Sequence, residues 1–326
     1  MRFQAIILIV VIILSLALFR ATRLPEHNEV SQNGLRIARD GQQYPSITIS
    51  TQKDTISVEP RKENTTIPSD SISVPHLETS AVETSATQST TSSCLIQAPL
   101  YGVYDIGAGR VVFGQDVDHR WPIASITKLM TAIVASKYMD GDLLISITDE
   151  DQENTEVVGS SYTARDLIKA ALVVSSNDAT YALARSFGYD AFINRMNEEA
   201  RMLGMSETSF FDPSGLSYLN QSTLSDLSSL MGYLYRSHNS LLEITRQKAV
   251  SIFDQTHKKT ITLSNIDYFA GEKDFLGGKT GRITQSGENL ITLFSYDDAV
   301  WMVGVLGSAD RFGDIRTLLR CAKNSD

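Results

Sequence analysis

Cysteine, histidine and positive charge are all scarce in this chain. Two cysteines in 326 residues, Cys94 and Cys321, are too few for a disulfide scaffold or a zinc site of the CxxC type. The five histidines, His27, His76, His119, His238 and His257, form no HExxH or HxxxH pair, so neither a metal site nor a cofactor is expected. No Ser-His-Asp arrangement is evident either. A net charge of -9 and a pI near 5.1 exclude a nucleic-acid surface, which needs clustered lysine and arginine. What is plentiful is apolar side chain. Hydrophobic residues make up 42% and aromatics 8% of the chain, enough for the core of one large domain or two small ones.

The apolar content is unevenly spread. Residues 3 to 19, FQAIILIVVIILSLALF, are almost wholly apolar, with Arg2 before them and Arg20 and Arg23 after. Such a run is near the short limit for a bilayer span and a little long for the core of a cleaved signal. Residues 1 to 23 are therefore expected to be a signal anchor or a signal peptide, and either one exports the rest of the chain. Basic residues on both flanks leave the orientation open. Residues 24 to 93 change character, with stretches such as PHLETSAVETSATQSTTSS. A segment this poor in large apolar residues cannot offset its chain entropy by burial, so a disordered Ser/Thr-rich linker is expected.

A folded domain is expected over residues 94 to 326. LYGVYDIGAGRVVFGQD reads as strand, Gly-rich turn and strand. Helical patterns follow from Ser125 to about Tyr138, then in ARDLIKAALVV, DATYALARSF, AFINRMNEEARMLGM and TLSDLSSLMGYLYRSH. Strand patterns return in KKTITLSN, FLGGKTGRI and NLITLFSYDDAVWMVGVLGS, with a hairpin turn at Tyr296–Asp298, and DRFGDIRTLLRCAKN closes as a helix. Strands at both ends and helices between them imply an α+β domain. One antiparallel five-stranded sheet is expected, its first hairpin pairing with the last three strands around an inserted helical region.

Three short motifs lie in this domain. Ser125-Ile126-Thr127-Lys128 opens a helix, and positions three apart share a helix face, so the lysine amine can reach the serine hydroxyl. The bland alternative is a helix-capping Ser125 and a solvated Lys128. A second SxxK, Ser50 to Lys53, lies in the linker with no helix or apolar wall around it, and is given no role. Ser175-Ser176-Asn177 separates two helical patterns, where Ser176 or Asn177 also suits a cap. Lys279-Thr280-Gly281 follows Gly277-Gly278 at a strand, where glycine lets backbone approach a ligand closely. Each motif alone is weak. Together, in this order and in these contexts, they match a constellation of acyl-serine enzymes.

Residues 97 to 320 resemble the low-molecular-mass penicillin-binding proteins, the D-alanyl-D-alanine carboxypeptidases and their endopeptidase relatives. The resemblance rests on YDIGAGRVVFGQDVDHRWPIASITKLMTAIVA, YTARDLIKAALVVSSNDATYALA, MSETSFFDPSGLS and LSNIDYFAGEKDFLGGKTG. It implies the β-lactamase/transpeptidase-like fold and a serine D-Ala-D-Ala carboxypeptidase acting on peptidoglycan stem peptides, with β-lactams as inhibitors. It also implies a place on the outer face of a bacterial membrane. Two departures stand out. Arg282 and Ile283 follow the KTG, with Thr284 one position late, and the middle residue of the second motif is Ser176 where glycine is common.

On this resemblance Ser125 is the nucleophile and Lys128 its base, which must be neutral to act. Asn177 orients Lys128 and the substrate amide. Ser175 passes a proton to the leaving amine, tuned by Lys279. Lys279, Thr280, Gly281 and Arg282 make up the substrate-binding strand. The first two suit the substrate carboxylate, and the backbone N–H groups of Ser125 and Arg282 suit an oxyanion hole. Rival functions are a D,D-endopeptidase, a serine β-lactamase, or a non-enzymatic β-lactam sensor or wall-binding module. The family fold brings the chain ends together, which implies a Cys94–Cys321 disulfide in an exported domain. The alternative is two free buried thiols.

Overall fold

The computed structural model describes residues 94–148, 160–296 and 298–323. The expected membrane segment (1–23) and linker (24–93), with the SxxK at Ser50, lie outside the described residues. The sheet is the expected one. β1 (Leu100–Asp105) and β2 (Arg110–Gln115) form its first hairpin. β5 (Phe275–Ile283), β6 (Gly287–Tyr296) and β7 (Ala299–Ser308) are its last three strands. The order is β2-β1-β7-β6-β5 and every pair is antiparallel. β6 and β7 meet with Tyr296 opposite Ala299, and Asp297 between them is outside the described residues.

Both faces of this sheet are covered, which is why β6 and β7 read as continuous apolar runs. Along β7, Trp301, Val303 and Val305 face one core, while Met302 and Leu306 face another. The first core lies under the C-terminal helix α7 (Arg311–Lys323), through Ile315, Leu318 and Ala322. The second lies under the inserted helices. These are α1 (Lys128–Tyr138), α2 (Ala164–Val173), α3 (Asn177–Phe187), α4 (Tyr189–Met202), α5 (Leu224–Ser237) and α6 (Asn239–Arg246). Helix α1 is buried from Lys128 to Ala135 without a break, so it passes through the core and shows no polar stripe. Of its two lysines, Lys137 in the last turn pairs with Glu199, while Lys128 at the start is placed in the interior.

Threonine and serine begin three of these helices. Thr163, Thr223 and Ser176 accept hydrogen bonds from the backbone N–H groups of Asp166, Asp226 and Ala179. Helix α6 and strand β3 (Ala249–Asp254) were not anticipated. β3 alternates strictly between exposed and buried residues and pairs with β4 (Lys259–Ser264) in a separate two-stranded ribbon. Cys94 and Cys321 are disulfide-bonded, with Cα atoms 6.2 Å apart. The bridge ties the chain ahead of β1 to α7. Asp314 of the same helix accepts from the Gln97 and Ala98 amides.

Candidate active site

Three segments far apart in sequence meet at the open edge of β5. The first is a 3₁₀ turn, Ala124–Thr127, that leads into α1. Neither the turn nor α1 carries a side-chain cap, so Ser125 is not serving as one. The turn is pinned from the sheet: Asn289 of β6 donates to the Pro122 carbonyl at 2.9 Å, and Trp121 donates to the Ser286 carbonyl at 2.9 Å. Ala124 has a positive φ of 49°, a strained conformation for a residue with a Cβ. Glycines clasp it from two sides. A Cβ on Gly215 would strike the Ala124 carbonyl, and one on Gly281 would lie 2.6 Å from the Ile123 carbonyl. Gly281 thus lets β5 run against the turn.

The Lys128 amine makes three short contacts: Ser125 Oγ at 2.9 Å, Asn177 Oδ1 at 2.7 Å and the Ser214 carbonyl at 2.6 Å. Lys128 is 0% exposed, which removes the alternative of a solvated lysine. Burial holds its ammonium well below the ordinary lysine range, the Lys279 cation pushes the same way, and Asp212 opposes. A neutral amine has two N–H donors and one lone pair. Asn177 Oδ1 and the Ser214 carbonyl can accept only, so they take both donors. The lone pair is left for the Ser125 hydroxyl, the arrangement a general base requires.

The second segment is the break between α2 and α3. Ser175 sits there at a φ of 59°, another strained non-glycine backbone. Its Oγ accepts from Lys279 Nζ at 3.0 Å. Ser176 is the helix cap, while Asn177 is turned to Lys128. The third segment is β5. Lys279, 1% exposed, donates to Ser175 and to the Thr280 carbonyl. Burial lowers it to about 7, Asp267 opposes, and Arg311 adds to the lowering. Arg282 extends to solvent, 3.9 Å from Glu288, with a side chain 73% exposed.

The residues singled out by motif therefore gather at one place, except that the Arg282 side chain leaves it for solvent. Sequence reasoning missed the parts that support them. The 212–217 stretch, DPSGLS, is a tight loop around Asp212, whose carboxylate accepts from Ser214 N, Ser214 Oγ, Gly215 N and Ser217 N. That loop delivers the Ser214 carbonyl to Lys128. It is bound to α1 by Thr131, which donates to the Pro213 carbonyl, and to the 3₁₀ turn by Asn220, which donates to both Thr127 and the Asp212 carbonyl. Asp-Pro-Ser-Gly was a readable turn signal, but nothing local says that the turn faces a lysine. Arg311, which donates to the Gly281 carbonyl at 3.2 Å, gave no signal either.

A model of the family described as D-alanyl-D-alanine carboxypeptidase matches residues 85–309. The chain belongs to the D-alanyl-D-alanine carboxypeptidase family. Its members are serine DD-peptidases, peptidoglycan-acting hydrolases that include the low-molecular-mass penicillin-binding proteins. A D-alanyl-D-alanine endopeptidase of Haemophilus influenzae is 34% identical over 220 residues, covering 64% of this chain and 74% of that protein. One from Escherichia coli is 35% identical over 160 residues, covering 46% of this chain and 52% of its own length. The D-alanyl-D-alanine carboxypeptidase DacB2 of Mycobacterium tuberculosis is 30% identical over 188 residues, covering 55% and 64%. Among solved structures, penicillin-binding protein D2 of Listeria monocytogenes in its ampicillin-bound form superimposes with a TM-score of 0.63. It is 27% identical, and the match covers 70% of this chain and 98% of that one.

Proposed function

We propose that this DD-peptidase is a D-Ala-D-Ala carboxypeptidase of peptidoglycan stem peptides, working through an acyl group on Ser125. The observation that carries this reading is the contact of buried Lys128 with Ser125 Oγ at 2.9 Å. Lys128 takes the hydroxyl proton as Ser125 attacks the carbonyl of the penultimate D-Ala. Two N–H groups suit the oxyanion. One belongs to Ser125. The other belongs to Arg282, by strand geometry. Gly278 N–H points off the free edge of β5 to Thr245 Oγ1, and the pairing with β6 is unbroken from Gly278 to Ile283. A strand alternates with period two, so the Arg282 N–H faces the same open edge.

The leaving amine receives a proton through Ser175, whose hydroxyl accepts from Lys279. Lys279, Thr280 and Arg311 supply the positive, donor-rich end that a terminal carboxylate requires. Water then attacks the acyl-enzyme from the same base. A β-lactam enters by the same chemistry and leaves slowly, because its amine stays tethered. The Listeria penicillin-binding protein bound to ampicillin supports this extension to inhibitors.

A second reading is a D,D-endopeptidase, favoured by the naming of the Haemophilus influenzae and Escherichia coli relatives as endopeptidases. The leaving residue of a cross-link also carries a carboxylate beside the scissile amide, so the same groups serve both substrates. Incubation with a monomeric muropeptide ending in D-Ala-D-Ala, and separately with a cross-linked dimer, distinguishes them by mass. Loss of one D-Ala from the monomer with the dimer intact supports the carboxypeptidase. Cleavage of the dimer alone supports the endopeptidase. Steady turnover of penicillin with neither peptide cut would favour a β-lactamase.

The same reading places residues 94–326 outside the cytoplasm, carried by residues 1–23 as anchor and 24–93 as linker. The Cys94–Cys321 disulfide supports it, since such bonds persist in oxidising compartments. Limited proteolysis that releases an active fragment beginning near Cys94 is the expected result. A fragment that no longer folds would count against the division.

A further inference from the structure

The site holds three basic side chains largely out of solvent, Lys128, Lys279 and Arg311, and its chemistry needs them in different states. Lys128 must be neutral to act as base, whereas Lys279 must be charged to meet a carboxylate. Both lysines are buried, so burial alone does not say which one keeps the proton. The nearby carboxylates break the tie. Asp212, on the Lys128 side, spends its charge on four local donors: Ser214 N, Ser214 Oγ, Gly215 N and Ser217 N. Asp267, on the Lys279 side, is 6% exposed. Its Oδ1 accepts from the Phe269 amide, and its Oδ2 has no hydrogen-bond partner. Arg311 Nε is likewise buried without one.

Asp267 is also fixed in place. Its N–H donates to Asn265 Oδ1 at 2.9 Å, and Asn265 Nδ2 donates to the carbonyls of Thr245 and Gln247 at 2.7 and 2.9 Å. Thr245 accepts through Oγ1 from Gly278, the residue before Lys279. The loop bearing Asp267 and the strand bearing Lys279 therefore hang on one residue at the end of α6. We propose that Asp267 is a positioning residue that keeps the proton on Lys279 and so leaves Lys128 as the free base.

The surrounding charges agree with this assignment. Lys279 is acted on by Asp267 in its favour and by Arg311 against it, and its own charge bears on Lys128. Burial pushes the Asp267 carboxyl up, whereas the Phe269 amide, Lys279 and Arg311 favour its charge and Glu272 opposes it. Arg311 is faced by Glu288, Asp267, Arg282 and Tyr268. Glu272 is half exposed and lies 3.8 Å from Arg316, so it is no substitute for the buried carboxylate. Without the Asp267 charge, Lys279 gives up its proton at lower pH. Lys128, relieved of a neighbouring cation, holds its proton to higher pH.

The inference rests on the acylation of Ser125, and its test keeps the two apart. The rate of Ser125 acylation by benzylpenicillin is measured against pH for the full chain and for Asp267→Asn. The wild-type profile is a bell, with Lys128 on the acid limb and Lys279 on the basic limb. In Asp267→Asn the bell narrows, and its basic limb moves down by about one pH unit or more. Asp267→Glu restores the width, and Glu272→Gln leaves both limbs in place. A purely structural role would scale the curve without moving its limbs. Should Asp267→Asn fail to fold, Asp267→Ser makes the same prediction with a smaller side chain. A variant profile that superimposes on the wild type after scaling overturns the inference alone. A wild-type chain not labelled at Ser125 overturns the reading beneath it.

Discussion

Lys128 and Lys279 are 0% and 1% exposed, lie in one site, and are both held below the ordinary lysine range. Their surroundings nonetheless differ in kind. Lys128 is delivered by a helix whose first eight residues are all buried, and it meets three oxygen acceptors, one of them the serine hydroxyl. Lys279 stands on a sheet edge, meets one hydroxyl and one carbonyl, and is acted on by the Asp267 carboxylate, whose Oδ2 has no hydrogen-bond partner. The first arrangement makes a base, the second a cation. Burial sets how much either charge costs, and the acceptors and counter-ions decide what each lysine is for.

Arginine substitution separates the two most sharply. A guanidinium does not give up its proton in proteins. Lys128→Arg should therefore be as inactive as Lys128→Ala, with penicillin acylation down by about 10³-fold in each. Lys279→Arg keeps the charge and should retain much of the rate that Lys279→Ala loses. Stopped-flow acylation of the four variants checks this; an active Lys128→Arg protein would break the comparison. Next in size is Gly281→Ala. Its Cβ would press on the Ile123 carbonyl at 2.6 Å and displace the nucleophile turn, lowering acylation by about 10²-fold. The fold should survive, as seen by an unchanged far-UV circular dichroism spectrum.

Stability sharpens the comparison from another direction. Lys279 is lowered to about 7 in the fold from an ordinary value of 10.5. Between those values the unfolded chain binds more protons than the folded one, so this lysine makes stability rise with pH across that window. Lys279→Met removes the burden. It should raise stability against urea at pH 7 while lowering acylation, and flatten the gain between pH 7 and 10. A Lys279→Met protein less stable than the wild type at pH 7 would show that burial of this lysine is not costly. The smallest effect on the site is expected from the disulfide, which lies at the chain ends. Reduction of Cys94–Cys321 should lower the unfolding free energy by about 3–5 kcal/mol and leave the acylation rate of the folded protein unchanged. Titration of the denatured, unreduced protein should find no free thiol.

The sheet was legible because its strands are apolar runs bounded by turns, and β5 spans FLGGKTGRI as anticipated. Helix α6 and strand β3 were not. Eight residues in NSLLEITR give too few turns for a helical period to show, and AVSIFD is short and carries only three buried side chains. The reacting residues were legible because their chemistry demands certain types at certain spacings. Their supports were not, because Ser214 contributes a backbone carbonyl that any residue has, Asp267 acts through burial that only the tertiary fold creates, and Arg311 reaches Gly281 from a distant helix. Ser125 itself was ambiguous, since serine at a helix start is usually a cap. Only the buried lysine beside it decides between the roles.

The most direct test of the account is therefore the site of covalent labelling. The full chain is incubated with benzylpenicillin, digested, and the modified peptide mapped by mass, alongside Ser125→Ala and Ser50→Ala. The account predicts one adduct, on Ser125, persisting in the Ser50→Ala protein and lost from Ser125→Ala with its fold intact. An adduct on any other residue, or undiminished labelling of Ser125→Ala, would contradict it.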